Sequence, residues 1–143
     1  MKYITTFLKP ATYGNVADLG LLILRIGVGL MMMTHGWPKL TQYADKAEGF
    51  FDFMGLGGPV SLALTVFAEF FCSAFLVLGL GTRVILIPLI ITAIVIAFVV
   101  HGPDPFGDKE HGLLYLAAYV SLLCTGPGKF SFDHFILTRT KQN

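Results

Sequence analysis

The 143-residue sequence predicts an all-α membrane protein, an antiparallel bundle of four transmembrane helices with a short interfacial helix between the first two spans. Three observations carry that expectation. Hydrophobic residues make up 55% of the chain and charged residues 13%, against about 25% charged in an ordinary soluble domain. The apolar residues are bunched in long blocks, as a multi-pass membrane protein requires. Gly- and Pro-rich punctuation separates the blocks at 55–59, 79–81, 102–105 and 126–128. The length fits one membrane domain over 1–143, and a net charge of +1 excludes a basic footprint for nucleic acid.

Taken in order, the N-terminal ten residues hold an apolar run, 3–8, shorter than the ~7–15 residues of a signal-peptide core, with no small-residue cleavage site behind it. They read as an interfacial segment with Lys2 and Lys9 toward the headgroups. Asp18 stands where a helix N-cap belongs. The first span covers about 19–37 and is interrupted by Arg25. After it, Phe50, Phe51, Phe53 and Met54 suggest a short amphipathic helix on the membrane surface, with a re-entrant segment as the alternative. The second span, about 59–80, is interrupted by Glu69, and the third, 84–100, carries no charge. The fourth, about 110–126, opens on Glu110 and His111. Tight connections around Gly81 and at 102–109 favour antiparallel neighbours.

Charge asymmetry sets the orientation. Lys2, Lys9, Arg83, Lys129, Arg139 and Lys141 fall on the side of the termini, and Lys39, Lys46 and Lys109 on the other. The positive-inside rule then puts both termini in the cytoplasm.

A charge near the bilayer centre costs from about 2.5 kcal/mol upward, so it faces the bundle interior and pairs. Taking 1.5 Å per residue, Arg25 lies about 10 Å and Glu69 about 16 Å from the cytoplasmic face. The two are expected to form a buried ion pair between the first two helices, serving either helix register or chemistry. By the same rise, His35, His101, Glu110 and His111 share one layer at roughly 22–27 Å. Lys39 lies one turn beyond His35, and Tyr115 continues the His111 face. These six residues are the candidate pocket, with Arg25 and Glu69 at its floor and Lys39 at its rim. Imidazole and carboxylate together can hydrogen-bond a quinone carbonyl, hold a polar substrate or bind a metal. A metal, if any, would draw on His35, His101, Glu110 and His111, although no sequence-local metal motif supports it. Histidines sitting among headgroups remain the plain alternative.

The run Leu24-Arg-Ile-Gly-Val-Gly29 followed by His35-Gly-Trp-Pro-Lys-Leu40 resembles the first-helix signature of the DoxX family of small bacterial membrane proteins. Glu69 is similar to that family's intramembrane acidic position. His101, then Glu110 with Leu113-Leu-Tyr-Leu116, resembles its third-to-fourth helix junction, and 125–133, Thr-Gly-Pro-Gly-Lys-Phe-Ser-Phe-Asp, resembles its closing motif. His111 departs from the pattern, where an apolar residue is more usual. The resemblance implies a four-helix fold in the bacterial inner membrane and a link to quinone- or thiol/sulfur-linked redox systems. The chain has no CxxC, haem-attachment or dinucleotide motif, so electron transfer would need a bound cofactor or a redox partner protein. The function expected is therefore a non-autonomous membrane subunit of such a system, with a polar pocket near the outer leaflet for a quinone or a small polar substrate; a homo-oligomer is open. A transporter and a non-catalytic scaffold subunit are the alternatives.

Overall fold

The computed structural model describes residues 12–140. The expected interfacial segment with Lys2 and Lys9, and Lys141 at the other end, lie outside them. The described residues are helical and turn, without strand. Helix α1 is Asn15–Thr41, α2 is Tyr43–Ala47 and α3 is Gly58–Leu78. Helix α4 is Thr82–Val100, α5 is Phe106–Thr125 and α6 is Phe132–Thr140.

Three of these, α1, α3 and α4, are long and apolar enough to cross a membrane. Helix α5 has 20 residues and carries Asp108, Lys109 and Glu110 near its start. The pattern of burial is inverted relative to a soluble protein. Asp18, Arg25, Glu69 and Thr82 are buried, while Ile23, Leu30, Phe71, Ile87 and Phe98 are exposed. An interior that holds the polar groups and an exterior that is greasy is what lipid requires.

The helices extend past the apolar windows at several ends. Helix α1 starts at Asn15 because Gly14, at φ 103, turns the chain into it. Asp18 therefore lies within the first turn, fully buried, and is not the N-cap expected of it. The segment after α1 also differs from expectation. Its short helix is Tyr43–Ala47, and Phe50, Phe51, Phe53 and Met54 follow in turns. Those turns are tied to α3: the Phe53 N–H donates to Ser61 Oγ at 2.9 Å and Gly57 N–H to Asp52 Oδ1 at 2.8 Å.

Helices α1 and α3 run antiparallel in close contact. A Cβ on Gly36 would stand 2.8 Å from the Phe70 nitrogen, so only glycine lets the two backbones meet there. Eleven residues earlier on α1, the side chain of Arg25 presses on Gly79. Gly79 closes α3 in the left-handed region at φ 70, where a side chain would be strained as well as blocked.

Two apolar cores result. The main one joins all four long helices through Val28 and Met32, Cys72 and Leu76, Leu86 and Leu89, and Tyr119 and Leu122. The second is small. Ala47, Leu62 and Val66 pack with Leu40, Tyr43 and Phe50, which ties the first half of α3 to α2 and the end of α1. Each of α3 and α4 contains a π-helical turn, at Phe67–Cys72 and Val95–Val100. An extra residue in a turn swings the rest of a helix off its line, and such turns gather at functional sites. Beyond its π turn, the Gly58–Val66 half of α3 packs on α1 and α2, while Val95–Val100 of α4 packs on α5. The two helices thus part company at one end of the molecule.

Candidate functional site

Polar side chains collect at both ends of the bundle, and the two collections differ in kind. At the end where α5 finishes, segment 126–131 folds back across the helix termini. The Arg25 guanidinium donates to the carbonyls of Phe130 at 2.7 Å and Pro127 at 3.5 Å. Asp133 accepts from the Gly81 and Thr82 N–H groups at 2.7 and 2.9 Å, satisfying the start of α4 from another part of the chain. Asp18 Oδ1 accepts from the Lys129 N–H at 3.2 Å, and Ser131 Oγ accepts from His134 N–H at 3.2 Å as the N-cap of α6. Arg83 donates to Leu123 and Cys124 carbonyls at the end of α5. Every partner here is a backbone group or a short structural contact, so this end works as a strap.

The opposite end holds a cavity of about 820 Å³ between α1, the 50–53 turns, α3, α4 and α5. Its walls are mostly apolar, from Met32, Leu64, Phe67, Ile91, Val95 and similar residues. His35, Lys39, Glu69, His101, His111 and Tyr115 supply most of its polar groups. Ser61, Thr65, Thr92 and Asp108 also line it. Apolar walls with a few convergent polar groups are the usual form of a small-molecule site, and the volume lies within the ~300–1,000 Å³ typical of one.

The ion pair at this site is Lys39–Glu69, at 2.5 Å. It replaces the expected Arg25–Glu69 pair. The rise arithmetic assumed that the first span begins at residue 19 and meets the second without offset. Helix α1 begins four residues earlier, Arg25 stands beside Gly79, and Glu69 stands beside Gly36. Eleven residues of helix separate those levels, about 16 Å, beyond the reach of an arginine. Glu69 is buried to 1% exposure within the π-helical turn of α3, and Lys39 is open to 24%. The carboxylate therefore has a partner that can itself reach ligand or water.

His35 meets Tyr115 edge-on, with ring centroids 6.1 Å apart. Tyr115 stacks on Tyr119 at 5.8 Å, one turn deeper on the same helix face, where Tyr119 is fully buried. His101 Nδ1 lies 2.9 Å from Asp104 Oδ2, which leaves Nε2 as its nitrogen for a ligand. Lys109 Nζ donates to the Gly102 carbonyl at 2.6 Å, closing the 101–105 turn. Two expected members are absent from the lining: Arg25 belongs to the strap, and Glu110 is exposed outside the cavity. Among the described residues no three His, Cys, Asp or Glu side chains gather as a metal-holding group, so His35, His101, Glu110 and His111 are not assembled as ligands. His101 is turned to Asp104, and Glu110 points out.

Sequence reasoning missed Asp104 and Asp133. Asp104 was legible three residues after His101, a spacing at which a turn folds a carboxylate back. Asp133 lay in a motif quoted for resemblance, and its role depends on a contact 51 residues away.

Comparison with known proteins gives a consistent picture. The DoxX family model matches residues 20–102, which include Arg25, His35, Lys39, Glu69 and His101. Inner membrane protein YqjF of Escherichia coli (strain K12) is 27% identical over 128 residues, covering 85% of this chain and 95% of the relative. No solved structure matches the chain.

Proposed function

Because the chain belongs to the DoxX family and is a multi-pass protein of the inner membrane, we propose that it is a four-span membrane subunit which holds a quinone headgroup for a redox partner. Both termini lie in the cytoplasm on this reading, with the strap on that side and the cavity toward the outer leaflet. At 1.5 Å per residue, the 20 residues of α5 reach about 30 Å, enough for a fourth crossing.

The observation that carries the reading is the cavity itself: apolar walls around a buried, half-accessible Lys39–Glu69 pair, ringed by His35, His101, His111 and Tyr115. These groups suit a quinone. Lys39 Nζ is a donor for one carbonyl, His101 donates from Nε2 to the other when its ring is doubly protonated against Asp104, and the Tyr115 ring offers an aromatic face. A quinone, when bound, supplies a two-electron, two-proton acceptor. Glu69 holds Lys39 in place and keeps a carboxylate at the site that can take up or release a proton. Electrons come from a partner, since the chain has no redox motif of its own. Beyond the cavity, Leu76, Leu86 and Leu122 fill the bundle with apolar packing, which favours binding over permeation.

The test is native purification in mild detergent, followed by mass spectrometry for bound quinone and titration with decylubiquinone. Lys39→Met and His101→Phe should each weaken binding about tenfold or more, the effect of one charged or buried hydrogen bond. Absence of any quinone, both on extraction and on titration of the wild-type protein, would overturn the reading.

A further inference from the structure

The cavity has a side as well as an end, and the side faces lipid. On α3, Leu64, Phe67 and Phe71 follow the spacing of one helix face, and all three are exposed, at 45–50%. On α4, Ile87, Ile91 and Ile94 form a second exposed face by the same rule. In a membrane these are lipid-contacting stripes. Yet Leu64, Phe67 and Ile91 also line the cavity. One face of a helix can look both to the cavity and to the bilayer only where the wall between them is interrupted.

The packing supplies the interruption. The first half of α3 leaves α4 to join the small core with α2, and the last half of α4 leaves α3 to join α5. Both departures coincide with the π-helical turns. The result is a slot between diverging helices, apolar along its edges, with the Lys39–Glu69 pair inside.

We propose that this slot is a lateral mouth, through which the site takes a lipid-soluble amphiphile from the bilayer, its headgroup at Lys39–Glu69 and a single long apolar chain lying out between α3 and α4. This deepens the quinone reading and rests on it for the headgroup alone. A ligand drawn from lipid avoids a water-exposed apolar chain, which costs about 0.8 kcal/mol per methylene. Leu64 and Phe67 of α3 and Ile91 of α4 line the same cavity, so the slot between these two helices takes one chain.

Two measurements on the full-length protein in phosphatidylcholine vesicles test the mouth and the headgroup separately. In the first, the native tryptophan is removed by Trp37→Phe and a reporter is placed across the cavity by Tyr115→Trp, with Thr92→Trp as a second reporter should the first fail to fold. Vesicles with brominated acyl chains should quench the reporter at least twofold relative to unbrominated ones. An unquenched reporter overturns the lateral mouth and leaves the quinone reading standing. In the second, the wild type should bind decylubiquinone at least tenfold more tightly than the tail-less ubiquinone-0. Leu64→Trp with Ile91→Trp should erase that preference, bringing decylubiquinone within twofold of ubiquinone-0 on the same variant. A preference that survives both tryptophans overturns the chain path. Quenching without binding of either quinone overturns the headgroup assignment and supports the mouth.

Discussion

Removing Lys39 strands a carboxylate, and the size of the penalty can be worked from its surroundings. Glu69 is 1% exposed and its ion pair is with Lys39. Breaking a buried pair by deleting one partner costs about 3–5 kcal/mol. Lys39 is 24% exposed toward the cavity, so water can enter its place and the lower part of that range applies. Lys39→Met should thus cost about 3 kcal/mol. Glu69→Leu should cost about 1 kcal/mol or less, because the freed ammonium can turn to the cavity and the leucine packs well in an apolar wall. The double variant should sit near Glu69→Leu, giving a coupling of about 3 kcal/mol in a double-mutant cycle. At about 2–4 °C per kcal/mol for a chain of this size, Lys39→Met should melt about 6–12 °C below wild type in detergent. The same cycle with Arg25→Met and Glu69→Leu should be additive within about 0.5 kcal/mol, since those residues lie at different levels of the bundle. Coupling found in the Arg25 cycle and missing from the Lys39 cycle would refute the assignment of the pair.

The strap gives a second expectation: Asp133→Ala should cost about 1–2 kcal/mol by leaving the Gly81 and Thr82 N–H groups without their acceptor, and Asp133→Asn about half as much, both read by thermal unfolding. Gly36→Ala should destabilise by about 1–3 kcal/mol because its Cβ meets α3 backbone at 2.8 Å, whereas Gly27→Ala, which enters open space, should be neutral or slightly stabilising in the same melt. A periplasm-dependent reporter should be silent when fused after Asn143 and active when inserted at 102–109; the reverse would turn the bundle over and move the cavity to the cytoplasmic side.

The sequence made the helices easy to find and their offsets hard. Apolar blocks and Gly/Pro punctuation locate α1, α3, α4 and α5 because lipid demands those blocks. Their ends drift, since Asn15–Asp18 and Pro38–Thr41 are helical without being apolar, and tertiary contacts support them there. That drift decided the ion pair. A few residues at one end of α1, and the close approach at Gly36, move Arg25 and Glu69 out of reach and bring Lys39 in. His35, His101, His111 and Tyr115 could be assigned to one layer from helical rise, which tolerates an error of one turn. The π-helical turns at Phe67–Cys72 and Val95–Val100 have no local signature in the sequence, and they shape the slot. The strap was equally hidden, because most of its bonds join residues far apart in the chain, such as Arg25 with Phe130.

That strap bears on how the protein is made. Synthesis proceeds from the N-terminus at about 5–20 residues per second, so Asp18 and Arg25 enter the bilayer region many seconds before Phe130, Ser131 and Asp133 exist to receive them. Until then a guanidinium and a carboxylate near one end of α1 must keep company with water or headgroups, and the α3–α4 turn has open N–H groups. Assembly of this end therefore waits for residues 126–133, which close over helices already inserted. A ribosome that stalls before residue 130 releases a bundle with its apolar spans in place and its charged groups unsheltered, the kind of product that membrane proteases can tell from the finished molecule.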